Sequence, residues 1–166
     1  TIVILTAVHF HYAGFAAPIL AGLAGRQIAT ARPALWPMFR LVAAGVIAGI
    51  ALVATGITLA RYTPVVEVAA ALIFAVSMLM FALLVLLAIV PSISGRLIQT
   101  LLVISAMSLI VTMLLAAAYA LGSFMGVPLI GIPRMVQLHG WLNAVGFALC
   151  GLLAWALTAD GKQVKG

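Results

Sequence analysis

The sequence predicts an all-α integral membrane protein, a single domain over residues 1–166 built as a bundle of five transmembrane helices. Hydrophobic residues make up 67% of the chain, against about 45–50% in an ordinary soluble domain. Charged residues make up only 6%, where about 25% is usual, so there is too little polar material to cover a water-facing surface. The apolar residues run on for about 20 positions at a time, the length a bilayer demands of a helix. These runs lack the alternation of barrel strands, and backbone groups in hydrocarbon must be paired within the segment, so each run is a helix.

The first predicted helix covers residues 1–24 and carries His9, His11 and Pro18. A connection over Gly25–Pro37 follows, with Arg26, Gln27, Thr30, Arg32, Pro33, Trp36 and Pro37, a mixture that suits an interfacial loop in contact with lipid headgroups. The second helix, 38–60, holds Gly45 and Gly49 as a GxxxG pair extended by Gly56, which favours close packing within the monomer over a dimer face. The third, 66–90, opens on Glu67, a carboxylate suited to a helix N-terminus. The fourth, 97–121, bears a stripe of Ser105, Ser108, Thr112 and Tyr119, whose first three hydroxyls are expected to bond back to the preceding turn. After an uncharged, Gly- and Pro-rich connection over Gly122–Ile132, the fifth helix, 133–157, places Asn143, Gly146 and Cys150 on the His139 face.

Eight Lys and Arg against two Asp and Glu give a net charge of +6. The basic residues stand singly at the ends of apolar runs and form no nucleic-acid patch, so they report topology. Arg26, Arg32, Arg40, Arg96, Lys162 and Lys165 share one face, and only Arg61 and Arg134 the other. The excess places the first face, and the C-terminus, in the cytoplasm of a cytoplasmic-membrane protein with its N-terminus outside. That external start, with no initiator Met and no basic leader, points to upstream transmembrane segments. Trp36 and Trp155 fall at the cytoplasmic interface and Tyr62 at the outer one, where amphipathic rings belong. The single cysteine, Cys150, excludes an internal disulfide framework and a multi-Cys metal site. The methionines are packing residues.

Polar groups inside a membrane are costly, so their positions carry the functional signal. With a rise of 1.5 Å per residue, His9 and His11 lie about 12 and 15 Å deep from the outer face and His139 about 9 Å. His9, His11, Tyr12, Glu67, Tyr119, Arg134, Gln137, His139 and Asn143 therefore form a predicted outer-leaflet cluster. His9 and His11 are roughly 200° apart around a helix, which disfavours both as ligands of one metal. Glu67 serves equally well as an ion-pair partner of Arg61 or Arg134.

The stretches His9-Phe10-His11-Tyr12-Ala13-Gly14-Phe15-Ala16-Ala17-Pro18 and His139-Gly140-Trp141-Leu142-Asn143-Ala144-Val145-Gly146-Phe147 resemble the two signature stretches of the YndJ-like membrane proteins. The resemblance singles out His9, His11, His139, Gly140 and Asn143. It implies further helices upstream of the first stretch, and a loose association with transport that does not define an activity.

Three functions fit, in this order. The first is a membrane enzyme, a cyclase or isomerase, acting by acid–base chemistry on a lipophilic isoprenoid- or quinone-like molecule. There His139 or His9 is the general acid or base with His11 beside it, Glu67 is the partner acid, and Asn143 and Tyr12 orient the reacting group. It needs no cofactor, although aromatic residues at 8% are a poor supply for a carbocation-stabilising wall. The second is a haem or metal-ion redox protein, with His9 or His11 and His139 as axial ligands. The third is a transporter or a structural subunit. The expected partners are the lipid bilayer, a lipophilic small molecule, and either a second copy or upstream transmembrane segments, with no nucleic acid.

Overall fold

The computed structural model describes residues 10, 12–127 and 129–163, with side chains for 10, 13–127 and 129–158. All regular structure among them is helical. Helix α1 (12–31) opens with a π-helical turn, Tyr12–Ala16, and continues as α-helix over Ala17–Ala31; α2 is Trp36–Leu59. Helix α3 is Pro64–Leu84, prolonged by a π turn, Val85–Ile89, and a 3-10 turn, Val90–Ser92; α4 is Arg96–Phe124. Helix α5 (132–163) is composite: a short α turn, Ile132–Met135, two π segments, Val136–Gly140 and Leu142–Leu149, then α-helix over Cys150–Gln163.

Among the described residues four stretches, Pro33–Leu59, Pro64–Ser92, Arg96–Phe124 and Ile132–Thr158, are long and apolar enough to cross a membrane. The fifth expected span, 1–24, has most of its outer half in residues 1–9 and 11, outside the described residues. The outward faces are apolar, with Leu41 at 76%, Leu87 at 74% and Trp141 at 70% exposure. Such a surface is stable against lipid chains and not against water. The protein is membrane-integrated.

Neighbours in sequence pack in space. Helix α2 lies along α3, α3 on α4 and α4 on α5, while α1 packs on α2 and touches α5 and the π turn that ends α3. The glycines of α2 explain its close fit to α3. A Cβ at Gly45 would run into the Ser77 side chain, one at Gly49 into the Phe74 ring, and one at Gly56 would lie 3.0 Å from the Glu67 Cα. The expected small-residue stripe thus faces α3 within the same chain.

The connection expected over Gly25–Pro37 is mostly helix. Helix α1 runs on to Ala31, and only Arg32 and the 3-10 turn Pro33–Leu35 separate it from α2. Polar composition suggested a loop, but the buried face continues through this stretch. A Cβ at Gly25 would sit 2.7 Å from the Phe39 Cε1, and Ile28 is fully buried. The helix stops where Pro33 forces the preceding residue out of the α region, with Arg32 at φ −142°. At the other end of the bundle, α4 extends to Phe124, three residues beyond the expected limit.

Polar side chains close the α3–α4 turn. Gln27 Nε2 donates to Ser92 Oγ at 3.1 Å, and Gln99 Nε2 donates to the Ile93 carbonyl at 2.9 Å. Gly95, at φ 104°, supplies the left-handed conformation that starts α4. A Gln27→Leu variant removes one tie between α1 and this turn. It is expected to lose about 0.5–1.5 kcal/mol of stability in detergent unfolding, the net worth of a typical hydrogen bond.

Candidate functional site

His139 and Asn143 lie in the two π segments of α5. A π-helix pairs residue i with i+5 and so winds with more residues per turn than an α-helix. Residues four apart share a face in either winding, and His139 and Asn143 both reach Thr112 on α4. His139 Nδ1 lies 3.1 Å from the Thr112 carbonyl oxygen, and the Thr112 hydroxyl lies 3.1 Å from Asn143 Oδ1. Thr112 itself is fully buried.

This arrangement fixes protonation chemistry. A carbonyl only accepts, so His139 Nδ1 must carry the hydrogen, and in the neutral imidazole Nε2 is then the lone-pair nitrogen. The Thr112 hydroxyl has one proton and two oxygens in range, since the Leu109 carbonyl lies 3.0 Å away. A half-turn of the Asn143 amide presents its NH2 to the hydroxyl and satisfies both contacts.

Beside Asn143 lies a cavity of about 30 Å³. Ala13 and Ala17 of α1, Phe74 and Met78 of α3, Met113 of α4, and Asn143, Phe147 and Ala148 of α5 line it. Its volume accommodates one or two water molecules, far less than the roughly 300–1,000 Å³ of a pocket for an organic ligand. The cavity lies where the π turn Tyr12–Ala16 meets the π segment Leu142–Leu149, so the two motif-bearing segments pack together in the fold.

The hydroxyl stripe of α4 faces these segments. Thr112 keeps the expected bond back to its own helix, but Ser105 donates across to the Phe147 carbonyl at 2.8 Å. Gly146 and Gly151 make that crossing possible: a Cβ at Gly146 would run into the Ser108 side chain, and one at Gly151 would lie 2.9 Å from Ser105 Oγ. Ser105 therefore departs from the expected back-bonding because a bare helix surface brings an acceptor of α5 within reach.

Of the sequence-predicted residues, the structure brings His139 and Asn143 together. Glu67 is half-buried in the first turn of α3, seven residues or about 10 Å along the axis from the cavity-lining Phe74. It stands apart from the Thr112 network. The Arg61 guanidinium lies over the Tyr62 ring, 4.6 Å from its centroid. Tyr119 is half-buried on α4, and Arg134 and Gln137 are exposed on α5. His9 and His11 lie outside the described residues, as does the side chain of Tyr12. Thr112 was expected only to bond back to its own helix; its additional role as the shared partner follows from its place on the same stripe as Ser105, one heptad apart.

The family model described as YndJ-like protein matches residues 1–147, a stretch that contains both motifs. The chain belongs to the YndJ-like family. It is 32% identical over 168 residues to the Uncharacterized membrane protein YndJ of Bacillus subtilis (strain 168), an alignment that covers 99% of this chain. The same alignment covers 29% of that relative, so the chain spans less than a third of the length of the YndJ protein it matches. No solved structure matches. Within the YndJ-like match, His139 and Asn143 are, among the described residues, motif residues that share Thr112 as a partner.

Proposed function

We propose that this YndJ-like chain is a five-span membrane enzyme that moves protons on a lipophilic isoprenoid- or quinone-like molecule, with His139 as the general acid or base. The observation that carries the reading is the Nδ1 contact to the Thr112 carbonyl. An imidazole with one nitrogen committed as a donor holds its ring in place and keeps the other nitrogen basic. Asn143, held on the same threonine, orients the reacting group. In this reading His9, His11 and Tyr12 complete the group from the first motif, whose described π turn packs on α5, and Glu67, in the first turn of α3 and apart from the Thr112 network, is the partner acid. A double-bond isomerisation removes a proton at one carbon and returns one at another, so a single imidazole can serve both halves.

The cavity beside Asn143 is too small for a substrate body, which in this reading lies in the bilayer against the exposed Leu138 and Trp141 of α5. The charge bias supports an orientation with the end bearing Arg26, Arg32, Arg40 and Arg96 in the cytoplasm and the histidines toward the outer leaflet. Lipids extracted from membranes containing the wild-type or the His139→Ala protein provide the test. The reading predicts one isoprenoid species depleted by the wild type and left intact by the variant. Matching lipid profiles would remove His139 from any such reaction.

The same contact favours a second reading, because metal-bound histidines hold their other nitrogen on a carbonyl or carboxylate in this manner. Among the described residues no three His, Cys, Asp or Glu side chains group as a metal site; in this reading His139 would supply a ligand to a haem iron. An absorption spectrum of the purified protein decides it. A Soret band lost in His139→Ala supports the haem reading; a spectrum of protein aromatics alone returns the choice to acid–base chemistry.

A further inference from the structure

We infer that α5 has two registers against α4, one residue apart, and that the shift between them carries His139 off Thr112 to the lipid face of the helix. The π-helix is rare and occurs mostly as a single turn inside α-helices. Helix α5 is wound this way over Val136–Gly140 and again over the eight residues Leu142–Leu149. Neither segment contains a proline, so each is free of the residue that most strongly breaks the ordinary α winding. Side-chain bonds that fix α5 in place run to α4: Thr112 meets His139 and Asn143, and Ser105 donates to the Phe147 carbonyl.

The inner part of α5 is pinned. A Cβ at Gly146 would run into the Ser108 side chain, and one at Gly151 would lie 2.9 Å from Ser105 Oγ. The freedom to rewind therefore lies on the outer side of Gly146. A π turn takes in one residue more than an α turn, so its relaxation to α advances the outer residues by one place, about 100° around the axis and about 1.5 Å along it. Gly140 then stands where His139 is now, Ala144 where Asn143 is, and His139 where Leu138 is.

Both residues that the shift brings to α4 are small. Gly140 is exposed, and among the described residues a Cβ there would meet no atom within 4 Å. The packing of these residues thus gives no use for a glycine, which weakens a helix; the shifted register gives one. Leu138 is 46% exposed, on the surface where the proposed substrate lies. An imidazole against hydrocarbon is costly, so the register with His139 on Thr112 is the resting one. Delivery of the imidazole to a substrate rests on the acid–base reading above; the two registers themselves do not.

Disulfide trapping in membranes that contain the full chain, in a Cys150→Ser background, tests the shift. Thr112→Cys is combined with Asn143→Cys for the resting register, with Gly140→Cys or Ala144→Cys for the shifted one, and with Leu138→Cys or Leu142→Cys for the opposite rotation. The Asn143→Cys pair is expected to close first. The Gly140→Cys and Ala144→Cys pairs are expected to close at least about tenfold faster than the Leu138→Cys and Leu142→Cys pairs, because relaxation turns the helix in one direction only. Equal rates on the two sides describe a helix that wobbles about one register, and overturn the proposal. Failure of the Asn143→Cys pair to close overturns the resting register and the shift together.

Gly140→Leu checks the same point with Thr112 intact, because a leucine there fills space against α4 only in the shifted register. Its lipid conversion is expected to fall about tenfold or more, as loss of a gating motion predicts, while the His139 Nδ1 contact to the Thr112 carbonyl persists by ¹⁵N NMR. Full conversion by Gly140→Leu overturns the shift. A wild type that converts no lipid but shows the trapping asymmetry overturns the acid–base reading and leaves the two registers standing.

Discussion

His139→Ala is expected to lower lipid conversion by about 10²–10⁴-fold, the range that general acid–base groups contribute, while the protein is recovered folded from detergent. The side chain is half-buried and bonds to a backbone oxygen, so its loss leaves no orphaned side-chain partner in α4. Thr112→Val separates positioning from chemistry. Valine keeps the carbonyl that holds His139 Nδ1 and removes the hydroxyl that holds Asn143. That variant is expected to lose activity about tenfold, and to lose about 1–3 kcal/mol of stability through the unpaired amide. Quantifying the lipid species in parallel for both variants checks the order. A Thr112→Val loss as deep as that of His139→Ala would show that the hydroxyl, and not the carbonyl, governs the site.

Gly146→Ala is expected to destabilise the bundle by about 1–3 kcal/mol, the usual cost of overpacking. A Cβ there would run into Ser108 Oγ and lie 2.6 Å from Ser108 Cβ, between two helices that hold one another through Ser105 and Phe147. Because the clash is with one side chain, Ser108→Gly is expected to recover most of the loss in the double variant. Tryptophan fluorescence during unfolding in mixed detergent measures each of the four proteins in this cycle. Additive losses would mean that α4 and α5 are not in contact at this level.

The helical, membrane-spanning character was legible from composition and run length because the bilayer leaves the backbone few alternatives. The packing of Gly45, Gly49 and Gly56 was legible as well, since a bare helix face has few uses other than close approach. The extension of α1 through Ala31 was not. Arg26, Gln27 and Thr30 look like loop residues in sequence, and only the buried Ile28 and the Gly25–Phe39 contact show that one face of the stretch is still inside. The pairing of His139 with Asn143 followed from their spacing. Thr112 as their common partner depended on how α5 sits against α4, which no spacing rule within one helix reveals. Glu67 entered the predicted cluster by depth alone, and depth does not say which face of a bundle a residue occupies.

The most direct measurement is the solid-state ¹⁵N NMR spectrum of the histidine-labelled protein in lipid at neutral pH, with His139 assigned by difference from His139→Gln. The account predicts a protonated Nδ1 and an unprotonated Nε2, with a cross-peak from Nδ1–H to the Thr112 carbonyl carbon. A proton on Nε2 with Nδ1 bare would contradict it, because the Thr112 carbonyl would then face a second acceptor and the imidazole would have no fixed base.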